Sequence, residues 1–194
     1  MTLSGPLSGK YVRLEPMNLA DAPRLWAAAA ADTPEIFRWF THPVPNERAM
    51  LVWVEKAVAE QKRGTAVPLV TVDQHSGMVA GSTRFFTIDR ENRNLEIGYT
   101  WLAPRFQRSA LNTEAKYLML RQAFEEWKCL RVQLKTDVNN AKSRTAIARI
   151  GAKEEGTLRA HLVRQDGTLR DSVYFSILAS EWPEVKRRLE AMLA

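Results

Sequence analysis

Apolar positions recur along the chain in two rhythms, and the change from one to the other divides it. From Asn18 to Ala31, Ala22, Leu25, Trp26, Ala29 and Ala30 fall at helical spacing. Pro34 suits the first turn of a second, short helix carrying Ile36, Phe37, Trp39 and Phe40. His42-Pro43-Val44-Pro45 reads as a loop. Asn46 is placed to N-cap a long helix reaching Arg63, which Gly64 can end. The period then becomes two. Strands are predicted over Val67–Asp73 and Met78–Ile88, joined by the hairpin sequence Gln74-His75-Ser76-Gly77, with a bulge at Gly81. After a turn at Asp89–Asn92, Arg93–Leu102 alternates, with Leu95, Ile97, Tyr99 and Trp101 on one face and Glu96, Gly98 and Thr100 on the other.

Pro104 breaks that strand, and a loop over Arg105–Ala110 leads into a helix of Leu111–Trp127 whose Ala115, Leu118, Met119 and Phe124 form an apolar face. Arg131–Thr136 is a strand with Val132 and Leu134 inward. Asn139 or Asn140 can cap a short helix that ends at Gly151. Strands near Lys153–Leu162 and Leu169–Leu178 flank the turn Gln165-Asp166-Gly167, and a last helix starts near Ser180. At the other end, residues 1–9 read as a flexible tail and Lys10–Glu15 as a short strand. Helices first, then an antiparallel meander, then alternating strands and helices predict an α+β fold with a mixed sheet, in one domain over residues 10–194. A doubly wound nucleotide fold is excluded, because there is neither a G-x-G-x-x-G nor a Walker-type lysine loop.

Composition narrows the classes further. At 194 residues, with 45% hydrophobic and 26% charged, the chain can bury a core of its own. A single cysteine, Cys129, excludes a disulfide framework or a multi-cysteine zinc site and reads as a core thiol. No apolar run approaches the ~18 residues of a membrane span. The first nine residues lack the pattern of a signal peptide, so a cytoplasmic setting is expected. The net charge of +6 suits an anionic partner or plain solubility. Nucleic acid is not indicated, since no block of five like charges occurs and Lys186-Arg187-Arg188 reads as the solvated face of a helix.

The most informative stretch is Trp101-Leu102-Ala103-Pro104-Arg105-Phe106-Gln107-Arg108-Ser109-Ala110-Leu111-Asn112-Thr113. A strand ends, a basic loop follows and a helix begins. Free amides and the positive end of the helix dipole, with Arg105 and Arg108 beside them, suit a phosphate or pyrophosphate. Gln107-Arg108-Ser109-Ala110-Leu111-Asn112 resembles the pyrophosphate loop Q/R-x-x-G-x-G/A of the GNAT superfamily of N-acetyltransferases. Thr136-Asp137-Val138-Asn139-Asn140-Ala141-Lys142-Ser143, running on to Ile150-Gly151-Ala152, resembles the T-D-x-x-N-x-x-S-x7-G of that superfamily's ribosomal-protein N-terminal acetyltransferase branch. The two motifs occur in order and on matching elements, and the resemblance covers roughly residues 10–180. It implies a sheet of about seven strands with a splayed pair around an acyl-CoA site.

The resemblance also implies roles. Acetyl-CoA would lie against Tyr99, Thr100, Trp101, Leu102, the loop Arg105, Phe106, Gln107, Arg108, Ser109, Ala110, then Leu111, Asn112 and Thr113, and across from them Asn140, Lys142, Ser143 and Ile147. Backbone amides of Tyr99–Leu102 would face the carbonyl oxygen, and Ser143 would serve the leaving thiol. Glu96 and Glu155 are the candidate bases, because an ammonium must lose a proton before it can attack. Trp39, Phe40, His42, Arg84 and Phe85 are expected to contact the acceptor amine, with His161 a further possibility. Three positions depart from the family pattern. Ala110 and Asn112 replace loop glycines, and Ile147 stands where many members carry a tyrosine. Alanine at 110 costs on the order of 1 kcal/mol if the position needs positive φ, and nothing if it is helical. The competing readings are a noncatalytic acyl-CoA-binding or interaction module of the same fold, and a nucleic-acid-binding protein resting on charge alone. A monomer and a homodimer are both compatible with the sequence.

Overall fold

The computed structural model describes all 194 residues. Eight strands form one sheet: β1 (Leu7–Ser8), β2 (Val12–Pro16), β3 (Ala66–Asp73), β4 (Val79–Asp89), β5 (Asn94–Leu102), β6 (Arg131–Asp137), β7 (Lys153–Val163) and β8 (Leu169–Leu178). Their spatial order is β1-β2-β3-β4-β5-β6-β8-β7. Every neighbouring pair is antiparallel except β5 and β6, which run parallel. The helices are α1 (Ala22–Ala29), α2 (Thr33–Ile36), α3 (Glu47–Lys62), α4 (Leu111–Arg121), α5 (Ala141–Arg149) and α6 (Trp182–Leu193). The α+β class with a mixed sheet is as the sequence predicts, with one strand more than expected.

The tail is not wholly loose. Leu7 and Ser8 pair with Leu14 and Arg13, and the Trp127 indole donates to the Thr2 carbonyl at 3.3 Å. The turn after β1 is held by α4. The Glu114 carboxylate accepts from the amides of Lys10, Tyr11 and Val12 at 2.6–2.7 Å. A Cβ at Gly9 would run into that carboxylate and displace it.

Local signals explain the helix ends. Asn46 Oδ1 accepts from the Ala49 amide at 2.9 Å, and Gly64 follows α3 at φ +73°. Gly151 ends α5 at φ +98°, where a Cβ would press on Val185 of α6. The expected second helix is shorter than its apolar pattern, stopping at Ile36, so Phe37, Trp39 and Phe40 lie in the following loop. Beyond α4 the helix continues to Glu126 with a π-type turn.

Each face of the sheet has its own core. Leu95, Ile97, Val132 and Leu134 pack with Leu111, Leu118 and Met119 of α4 and with Val185 and Leu189 of α6. On the other face Val70, Val72 and Trp101 pack with Leu25 of α1, Phe37, and Met50 and Val54 of α3. No helix is long and apolar enough to cross a membrane.

Candidate active site

The β5–β6 pair opens part-way along. Asn94, Leu95 and Glu96 pair with Arg131, Val132 and Gln133, and there the pairing ends. From Ile97 to Leu102, β5 therefore presents one edge of its backbone with no partner strand. A bulge in the same stretch turns it further. Tyr99 sits at φ +50°, and the register against β4 slips between Ser82 and Arg84. The predicted alternation fails at this residue. Gly98 and Tyr99 face the same side, Thr100 turns toward α4, and Trp101 is buried on the α1–α3 face rather than with Leu95 and Ile97. Left-handed backbone at a tyrosine costs on the order of 1 kcal/mol. Its surroundings fix it: the Arg84 guanidinium lies 4.1 Å from the Tyr99 ring centre, the Phe86 ring lies at 5.0 Å, and Lys116 Nζ donates to Thr100 Oγ1 at 2.8 Å.

Above the opening stands the basic loop. Ala103–Gln107 makes one tight turn, and the amides of Arg108, Ser109 and Ala110 then donate to no group of the chain. Arg108 takes the positive φ of the loop, +59°. Ala110 is helical, φ −64° and ψ −16°, so a glycine is not needed there. Free amides, the start of α4, and the exposed Arg105 and Arg108 form an anion cradle. Gln107 ties it across the opening. Its Nε2 donates to the Leu102 carbonyl at 2.9 Å, and its Oε1 accepts from Lys142 Nζ at 3.4 Å. Asn140 Oδ1 caps α5 by accepting from the Ser143 amide at 3.1 Å, while the Ser143 side chain is half-buried with no partner in the chain.

Residues 12–153 match the family model described as the Acetyltransferase (GNAT) domain. The chain belongs to the GNAT acetyltransferases. A Bacillus subtilis relative named "Putative ribosomal N-acetyltransferase YdaF" is 38% identical over 108 residues, which is 56% of this chain and 58% of the relative. The crystal structure of a GCN5-related N-acetyltransferase from Brucella melitensis superposes with a TM-score of 0.91 at 33% identity, covering 100% of this chain and 87% of that one. Mycobacterium smegmatis RimJ in complex with CoA-disulfide shares the fold, with a TM-score of 0.82 at 24% identity, covering 97% of this chain and 91% of that one.

The loop and the two strands bring together residues that lie far apart in sequence, but not all those expected. Leu111 and Ile147 are buried in the core under the sheet. Thr113 spends its hydroxyl on Arg149, which donates to it at 2.7 Å. Asn112 lies in the first turn of α4. Phe106 is half-buried beneath Arg105, 4.8 Å from its guanidinium.

The two carboxylates differ sharply. Glu96 stands at the point of divergence, 1% exposed, and accepts from Gln133 Nε2 and Lys135 Nζ at 3.0 Å each. Burial raises its carboxyl above the usual range against the opposing pull of Lys135. Glu155 is not brought to the opening. Arg131, at the start of β6, grips it through two bonds of 2.5 Å, and Ser176 donates to it at 2.7 Å. Those bonds draw its carboxyl down to about 2 and occupy both of its oxygens.

The acceptor side also needs correction. Successive side chains of a strand face opposite ways, so Arg84 and Phe85 cannot share a wall. Phe85 is fully buried against Trp127, ring centres 4.7 Å apart, on the α4 face. Its neighbour Phe86 faces the opening instead, 5.5 Å from Lys135 Nζ. Arg84 lies behind Tyr99, stacked between it and Trp53 and bonded to Glu60 at 2.6 Å. Phe40 does reach the site, 6.3 Å from the Tyr99 ring. His42 is exposed and bonded only to Thr41. The loop that holds Trp39 and Phe40 is strapped to the β7–β8 turn. Gln165 Nε2 donates to the Phe37 and Phe40 carbonyls at 2.7 and 2.8 Å, and Arg170 donates to the Trp39 carbonyl at 3.0 Å. Sequence reasoning missed Phe86, Lys135, Gln165 and Tyr174. Only the strand order β6-β8-β7 brings the last of these near the opening.

Proposed function

We propose that the chain moves an acetyl group from acetyl-CoA directly to a primary amine, with both held in the opening between β5 and β6. The observation that carries this reading is the parting of those strands directly below the amide cradle. The free amides of Arg108–Ala110 with Arg105 and Arg108 fit a pyrophosphate, and the unpaired edge of Ile97–Leu102 fits an amide-bearing arm laid alongside it. Asn140, Lys142 and Ser143 border the arm from α5. Bound acetyl-CoA supplies an activated acyl carbon; the remaining work belongs to the chain. The bulge at Tyr99 fixes where backbone amides of β5 face the acyl oxygen. Glu96 accepts a proton from the incoming ammonium, helped by a carboxyl raised by burial. Ser143 is the hydroxyl available to the leaving sulfur. Phe40, Phe86 and Tyr99 form an apolar wall for the group bearing the amine. A protein or peptide α-amine is the favoured acceptor, in keeping with the name of the B. subtilis relative. Helical backbone at Ala110 weakens one of the two grounds for a noncatalytic module, the missing loop glycines, while Ile147 still stands in the place of the tyrosine.

The test is a calorimetric titration with acetyl-CoA, followed by thiol release in the presence of a panel of peptides, amino acids and polyamines. One-to-one micromolar binding and amine-dependent release are expected. A folded chain that does not bind acetyl-CoA at moderate salt would sink the reading.

A further inference from the structure

An ammonium R–NH3+ carries three hydrogens and the nitrogen of the amide product carries one, so two protons leave it in each turnover. Glu96 can take one. Glu155 is locked in its bonds to Arg131 and Ser176, and Ser143 serves the other side of the opening. The other proton goes to the leaving thiolate, to solvent, or to a group on the face where the amine enters.

We propose that Tyr174, held by His161, is that group and takes the proton released as the C–N bond forms. This rests on the acyl-transfer reading above. Tyr174 stands opposite Lys135 in the β6–β8 register, and its ring centre is 5.6 Å from the Lys135 Nζ that bonds Glu96. It is half-buried. Its hydroxyl lies 3.3 Å from His161 Nε2, and His161 Nδ1 lies 3.0 Å from Ser172 Oγ, which also accepts from Arg170 Nε at 3.1 Å. With Nδ1–H directed at Ser172, Nε2 accepts from the phenol. In the step, the C–N bond forms and the C–S bond of the acyl-CoA breaks. The nitrogen's proton passes to the Tyr174 oxygen while the phenolic proton passes to His161 Nε2, and the coenzyme departs as thiolate. The imidazole then returns its proton to solvent through the same phenol.

The relay requires a neutral imidazole. The charged and titratable groups facing it are Lys135 from β6, Arg170 and Tyr174 from β8, and Glu96 beyond Lys135 on β5. Burial first, then Lys135 and Arg170, hold His161 below the ordinary histidine range.

The experiment is steady-state kinetics of Tyr174→Phe and His161→Gln as functions of pH, with calorimetric acetyl-CoA binding alongside. Tyr174→Phe is expected to lower kcat about 100-fold with acetyl-CoA affinity unchanged. His161→Gln is expected to lower kcat and to abolish the acidic limb that follows imidazole deprotonation. Both variants should melt near the wild type. A Tyr174→Phe enzyme within about threefold of wild-type kcat, or a His161→Gln enzyme with the wild-type pH profile, would overturn the inference alone. A wild-type chain that binds acetyl-CoA yet acetylates no amine would overturn the acyl-transfer reading, and this inference with it.

Discussion

The amino group of Lys116 lies 2.8 Å from the hydroxyl of Thr100 and 3.1 Å from that of Thr83, with no carboxylate beside it. It is 5% exposed, in the middle of α4, directly behind the bulge at Tyr99. A charged lysine in such a place is poorly compensated, and burial lowers its pKa to about 7.

That placement sets a pH dependence of stability. Folded and unfolded chains both hold the Lys116 proton below about pH 7, so the full cost of burying the charge is present there. Between about 7 and the ordinary 10.5 the unfolded chain binds one more proton, and unfolding free energy rises with pH. The slope approaches about 1.4 kcal/mol per pH unit for one proton. Lys116→Met should flatten this rise and stabilise the chain at neutral pH and below. Thr83 and Thr100 would still bond each other at 2.9 Å. Denaturant unfolding of both proteins at several pH values checks it, and equal slopes would show that the lysine keeps its proton.

Glu155 separates a structural role from a catalytic one. Its folded pKa is depressed, so its contribution is present above the unfolded value of 4.5 and is lost as pH falls toward about 2. The side chain is 41% exposed, so solvent screening limits the loss in Glu155→Gln to about 1 kcal/mol at neutral pH. The same variant should keep kcat within a few-fold, whereas Glu96→Gln should lose about 100-fold or more. Parallel kinetics and thermal melts decide it.

Arg108 divides stability from ligand binding. It holds the left-handed backbone of the loop, so Arg108→Gly relieves strain of about 1 kcal/mol, partly offset by the added freedom of the unfolded chain. It also removes a cation from the anion cradle. The variant should therefore melt at the wild-type temperature or above, yet bind acetyl-CoA several-fold more weakly, and with a shallower salt dependence. Calorimetry at two ionic strengths tests both halves.

Why some of this was legible and some was not follows from where each instruction is written. Asn46, Gly64 and Gly151 act on their own backbone, so they mark helix ends in any context. The amide cradle was legible because a strand end, a basic loop and a helix start are contiguous. The bulge at Tyr99 was not, because the left-handed backbone falls on the tyrosine and not on its neighbour Gly98. Its partners Arg84, Lys116 and Ser82 come from β4 and α4, and one slipped residue exchanged the faces of Thr100 and Trp101. Arg84 and Phe85 are adjacent on a strand, and period two already places them on opposite faces. Tyr174 and His161 meet Lys135 only once β8 inserts between β6 and β7, an order that local periodicity does not encode.

The strap between Gln165 and the Phe37–Phe40 loop offers the sharpest test of how the acceptor is held. Its two bonds to the Phe37 and Phe40 carbonyls join the tip of the β7–β8 hairpin to the loop whose Phe40 faces Tyr99. Gln165 is itself exposed, so its removal leaves no cavity. Gln165→Ala loses at most about 1 kcal/mol per hydrogen bond, mostly as looser positioning of the loop. In the proposed reading acetyl-CoA lies against β5 and α5, on the other side of the opening, and should bind as before. The amine should bind less well. The expected signature is a KM for the amine raised about 3- to 10-fold, with kcat and acetyl-CoA affinity little changed. If acetyl-CoA affinity fell instead, the hairpin would be bracing the cradle rather than the acceptor loop, and the assignment of the two sides of the opening would have to be reversed.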